Sequence, residues 1–84
     1  MADEPSPEEL AAQLAELEVT QFVAAAASTI ASLAYAKLEA GDLDEARRAI
    51  DALAGLIPQV GGDFRRDLSA TLASLQVAYA TAAS

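Results

Sequence analysis

Between Pro7 and Gly41 the chain runs thirty-three residues without a proline or a glycine. Alanine, the residue with the highest intrinsic helix propensity, is the commonest residue in it. Such a segment lacks the two strongest helix breakers, so the expected fold class is all-α. The same abundance thins the core. Alanine supplies 22 of the 84 residues, and the larger apolar residues number only 23. A domain of this length buries only about 60% of the surface its unfolded chain exposes. The expectation is an Ala-rich helical domain that gains stability from a partner.

Charge and chemistry narrow the function further. Cys, His and Trp are absent, which excludes disulfide staples, thiol nucleophiles, histidine bases and zinc fingers. Thirteen acids face five bases, for a net charge of -8. Six of those acids (Asp3, Glu4, Glu8, Glu9, Glu16, Glu18) fall in the first eighteen residues, which hold no base. An acidic surface repels phosphate backbones, so direct nucleic-acid binding is not expected. Met1-Ala2-Asp3-Glu4 lacks the basic start of a signal peptide, and the expected location is cytoplasmic. From Val19 to Ala36 no residue is charged, close to the minimum for a membrane span. Thr20, Gln21, Ser28, Thr29, Ser32 and Tyr35 interrupt its apolar character, so a buried soluble helix is expected instead.

The punctuation places the elements. Ser6-Pro7-Glu8-Glu9 reads as a helix start with Ser6 as cap, and residues 1–5 as a disordered acidic tail ahead of a single domain over 6–84. Gly41 fits a left-handed C-terminal cap, and Asp42-Leu43-Asp44-Glu45 restarts a helix with Asp42 as its cap. Pro58 limits that helix near Leu56. Gly61-Gly62 forms a second loop, and Asp63 is expected to cap a last helix to about Ala82. Leu43, Ala46, Ile50, Leu53 and Ile57 form one apolar seam; Phe64, Leu68, Leu72, Leu75, Tyr79 and Ala82 form another. Short loops between helices imply antiparallel neighbours. The expected architecture is a small antiparallel three-helix bundle, oligomeric in solution.

The first stretch carries two apolar faces. Leu10, Leu14 and Leu17 share one; Val19, Phe22, Val23, Ala26, Ile30 and Leu33 share another, displaced by roughly 170° on an unbroken helix. Either the helix breaks near Glu18–Thr20, with Thr20 as a new cap, or one rod buries opposite faces. A break is favoured because helix propensity falls at Val19-Thr20. The three leucines then read either as a docking arm or as a segment folded back on its own bundle. Ala24, Ser28, Ser32 and Ala36, recurring every four residues, would permit close approach of helices, within the chain or between copies.

Nothing in the chain assembles a site for catalysis, a cofactor or a metal. The carboxylates cluster at helix starts, where they favour the positive end of the helix dipole. Asp42-x-Asp44-Glu45 lacks a calcium loop's length and central Gly. Gly61-Gly62-Asp63-Phe64-Arg65-Arg66 lacks phosphate-loop spacing. Asp44 with Arg48, and Arg47 with Asp51, are spaced for surface ion pairs. Asp51 could alternatively bridge helices through Arg65 or Arg66, which makes it the one polar structural candidate.

Two resemblances follow. Leu33 to Pro58 resembles one tetratricopeptide repeat, with Ala34, the Gly41-Asp42 turn, Ala46, Ile50, Leu53 and Pro58 in step; Lys37 replaces the usual tyrosine, and no second copy is present. It implies a peptide-binding hairpin with Lys37, Arg47 and Arg48 near a groove. Residues 19–80 resemble a bacterial family of short helical proteins, the domain of unknown function numbered 1844, in its acidic, Ala-rich actinobacterial style. The resemblance is carried by Phe22-Val23 through Leu33 and Leu38, by Asp42-Leu43-Asp44-Glu45-Ala46-Arg47, by Ile50-Asp51-Ala52-Leu53 with Leu56, and by Leu72 and Leu75-Gln76-Val77-Ala78-Tyr79. It implies a small all-helical cytoplasmic protein with no catalytic residues to transfer. The functional expectation is a non-catalytic interaction or assembly protein, partnered by itself or another protein. Leu10, Leu14, Leu17, Phe22 and Ile30 are its expected association surface; a peptide-binding adaptor is the alternative.

Overall fold

A computed structural model of the chain describes residues 4, 6–16 and 18–84, and over these residues it is entirely helical, with no strand. Four α-helices and one 3-10 turn follow one another: α1 (Pro7–Ala15), α2 (Val19–Glu39), α3 (Leu43–Leu56), a 3-10 turn (Ile57–Gln59) and α4 (Gly62–Ala83). The tail expected over residues 1–5 falls largely outside the described residues.

The helix boundaries follow local chemistry in most places. Ser6 caps α1 by accepting the Glu9 N–H at 3.2 Å, and Pro7 opens the helix without losing a hydrogen bond. Gly41, at φ 77, turns the chain out of α2 in the left-handed region. Asp42 then accepts the Glu45 N–H at 3.4 Å and starts α3. With only Ala40, Gly41 and Asp42 between them, α2 and α3 fold as a hairpin. Pro58 ends the α-helical ladder of α3 at Leu56 and the chain tightens into the 3-10 turn.

Two caps differ from expectation. The chain breaks between Ala15 and Val19, and the residue preceding α2 is Glu18, extended at φ -81, ψ 128, without a side-chain cap. Thr20 lies inside the first turn, so its hydroxyl is past the position from which it could cap. At the start of α4 the cap position belongs to Gly61, extended at φ -131, ψ -178, and again carries no side-chain hydrogen bond. Gly62 supplies the left-handed turn at φ 62, which moves the helix start ahead of Asp63. Asp63 instead lies 4.0 Å from Arg66 on the surface.

The corner between α3 and α4 is held by Arg65. Its Nε donates to the Val60 carbonyl at 2.9 Å and its Nη2 to the Pro58 carbonyl at 3.0 Å, satisfying acceptors that the 3-10 turn leaves unpaired. Arg65→Ala is expected to cost about 1–2 kcal/mol, with Arg65→Lys recovering only part because one ammonium cannot span both carbonyls. Urea unfolding followed by circular dichroism reads this directly; an unchanged midpoint for Arg65→Ala would show that the corner holds without the guanidinium.

The core lies where α2, α3, the 3-10 turn and α4 meet. Six of the twelve buried apolar residues described are alanines: Ala24, Ala27, Ala31, Ala34, Ala46 and Ala49. The others are Ile50, Leu53, Ile57, Val60, Leu68 and Leu75. No polar side chain is buried among them. The α3 seam is buried as expected from Ala46 to Ile57, but the α4 seam loses both ends, since Phe64 and Ala82 are exposed.

The α2 contact face differs from the expected stripe. Ala24 is buried, but Ser28, Ser32 and Ala36 are exposed. At about 100° per residue each step of four overshoots a full turn by about 40°, so Ala36 lies on the far side of the helix from Ala27. The alternating steps of Ala24, Ala27, Ala31 and Ala34 stay over the partner helices instead.

Candidate interaction surface

α2 buries its alanines and exposes its larger side chains. Val19, Phe22, Ile30 and Leu33 lie roughly 60–140° round the helix from Ala27, next to the buried face rather than within it. Val19 is 76% exposed, Phe22 60% and Leu33 48%, while Ile30 is half-buried. The uncharged stretch is therefore no buried helix: only 22% of its apolar window is covered. By length and composition α2 would suffice to cross a membrane.

α1 carries the second apolar feature. No residue of α1 is buried, and among the described residues it touches no other element. Leu14 is 55% exposed, and Leu10, one turn earlier on the same face, is open as well. Leu17 lies outside the described residues. The expected association residues thus divide into two groups, Leu10 and Leu14 on α1, and Phe22 and Ile30 on α2, which do not meet within one chain. Sequence reasoning set Leu33 on the α2 face but left it out of the association surface, where its exposure puts it.

Ile30, Leu33 and Lys37 of α2 and Glu45, Arg48, Ala49 and Ala52 of α3 line a surface groove of about 340 Å³. Four of these residues are apolar, and the other three are two bases and one acid. Lys37 Nζ lies 4.0 Å from Asp42, and Arg48 lies 3.9 Å from Glu45. These exposed pairs contribute little stability. Arg48 takes Glu45 rather than the expected Asp44, and the Arg47–Asp51 pair does not form. A second depression is lined by Arg47, Ile50, Asp51, Gln76 and Tyr79. Asp51 is exposed there and bridges no helices, because Arg65 is committed to the Pro58 and Val60 carbonyls and Arg66 lies beside Asp63.

Overall dimensions agree with incomplete covering. The chain exposes 5939 Å², whereas a compact monomer of its 8.6 kDa mass exposes about 4,700 Å². Its radius of gyration is 16.0 Å, against about 12 Å for a compact chain of this length. Among the described residues no group of three or more Asp or Glu side chains is arranged to hold a metal ion.

No protein-family model matches the chain, and neither does any curated protein or solved structure.

Proposed function

We propose that this protein is a non-catalytic assembly protein that associates with itself through the apolar side of α2. The observation that carries the reading is the inversion on that helix, where small residues face the core and Val19, Phe22 and Leu33 face outward. Within one chain Val19, Phe22 and Leu33 stay exposed, and burying such a side chain fully against a second copy is worth about 1.5–3 kcal/mol. In this reading α2, α3 and α4 form an antiparallel three-helix bundle and the oligomer supplies its missing layer.

The reading places the protein in the cytoplasm, as a bacterial chain with no span across the membrane. Thr20, Gln21, Ser28, Thr29 and Ser32 along α2 favour a protein partner over lipid. Kinship with the family of the domain of unknown function numbered 1844 belongs to the same proposal. It is supported by the order of motifs over residues 19–80 and brings no catalytic residue with it.

Sedimentation equilibrium at micromolar concentration tests the reading. The expected result is a dimer or small oligomer for the wild type and a monomer for Phe22→Glu/Leu33→Glu with unchanged helicity, since both positions are exposed. A wild-type chain that stays monomeric up to about 100 μM, where a Kd near that value corresponds to only about -5.5 kcal/mol, overturns it.

A further inference from the structure

The geometry points to an exchange of arms: α1 of one copy seats Leu10 and Leu14 in the α2–α3 groove of a second copy, with its acids against Lys37 and Arg48. The inference rests on the self-association proposed above and specifies how it is built.

Three observations support it. First, α1 is a capped helix with two apolar side chains one turn apart, and among the described residues it packs on no other element. A nine-residue helix gains little from propensity alone and needs packing to persist. Second, the charges match. α1 and the residues beside it carry Glu4, Glu8, Glu9, Glu16 and Glu18 and no base. The groove rim holds Lys37 and Arg48, each beside one acid (Asp42 at 4.0 Å, Glu45 at 3.9 Å) in exposed pairs that leave both bases open to a further carboxylate. Third, the arm cannot reach its own groove. The three residues between α1 and α2 span at most about 10 Å, most of it used in crossing to a neighbouring helix axis. Folded back along its own α2, Leu14 comes level with about residue 20 and Leu10 with about residue 24. At 1.5 Å rise per residue they stop roughly 20 and 13 Å short of Leu33. An α1 arm that fills this groove therefore comes from another copy of the chain. A two-fold pair satisfies both arms and both grooves at once and closes without leaving either exposed.

The full-length chain tests this by charge reversal. Glu8→Lys/Glu9→Lys and Lys37→Glu/Arg48→Glu should each weaken the dimer about ten-fold or more, and an equimolar mixture should form a heterodimer close to wild-type affinity. The mixture restores one reversed contact and keeps one native contact, which a fold-back within one chain cannot do. The chain contains no cysteine, so a second measurement is clean. Leu14→Cys chains mixed with Leu33→Cys chains should give an intermolecular disulfide under mild oxidation. Both variants dimerising like the wild type, with no mixed disulfide, overturn the arm exchange and leave self-association standing. An intramolecular disulfide in Leu14→Cys/Phe22→Cys, at the level where a folded-back arm would lie, also overturns it. A monomeric wild type overturns the exchange and the self-association together.

Discussion

Leu53→Ala should leave the chain largely unfolded at room temperature. Leu53 is 0% exposed and is the largest side chain of α3 to be fully enclosed, packed where α2, the 3-10 turn and α4 converge. Truncating a buried leucine costs about 2–5 kcal/mol, through lost transfer energy and the cavity left behind. Globular chains of this length are stable by roughly 4–13 kcal/mol. This one belongs at the low end because half of its described buried apolar residues are alanines, which contribute little area each. Five of the other ten members of the same buried cluster are alanines, which have no longer side chains to refill the space. Thermal unfolding by circular dichroism checks this against Leu56→Ala, which shortens a half-buried side chain three residues later. The Leu56 variant should melt as a cooperative unit somewhat below the wild type. A Leu53→Ala melting point within about 4 °C of wild type corresponds to less than about 1 kcal/mol and would show that Leu53 does not anchor the core.

Ala27→Leu should destabilise the fold although it adds apolar volume to an apolar core. Ala27 is 0% exposed and faces the partner helices together with Ala24, Ala31 and Ala34. Helix axes approach to about 8 Å only where such small side chains lie between them, and longer ones separate the axes towards about 10 Å. A leucine at position 27 either adopts a strained rotamer or pushes α2 away, at a cost of about 1–3 kcal/mol. Ser28→Leu is the discriminating control. It sits one residue further along on the exposed side of α2, and its effect should stay within about 0.5 kcal/mol. Equal destabilisation by the two changes would mean that the four-residue stripe, rather than the alternating alanines, forms the contact. Urea midpoints for both variants, measured at low protein concentration so that association does not contribute, separate these outcomes.

Most of the local structure was legible in the residues. Ser6, Gly41, Asp42 and Pro58 act where they stand, because caps and breaks depend on backbone geometry within three or four positions. The α3 seam was legible for the same reason: Ala46, Ile50, Leu53 and Ile57 alternate cleanly and a single face of a short helix had to be buried. The start of α4 was less legible, since two adjacent glycines let the backbone turn before Asp63 could cap. Asp51 shows a different limit. Its spacing from Arg47 allowed a pair, but the structure holds Arg47, Asp51 and Tyr79 around an open depression with no ion pair between Arg47 and Asp51. The entropy of fixing two long exposed side chains offsets the small Coulomb gain, so spacing alone does not decide such pairs.

The sequence by itself determined that this chain is helical, where three of its helices stop, and that its larger apolar residues are too few to enclose it. Those properties follow from propensity, capping and composition, each of which acts within a few residues. Only the tertiary structure decided which side of α2 is covered. Two apolar faces lie next to each other on that helix, one of alanines and one with Val19, Phe22, Ile30 and Leu33, and hydrophobicity alone favours the second. α3 and α4 take the alanine face, where no long side chain holds the helix axes apart and close packing is possible along several turns. The larger residues are left outside by that choice, and so is α1, whose Leu10 and Leu14 stay about half exposed.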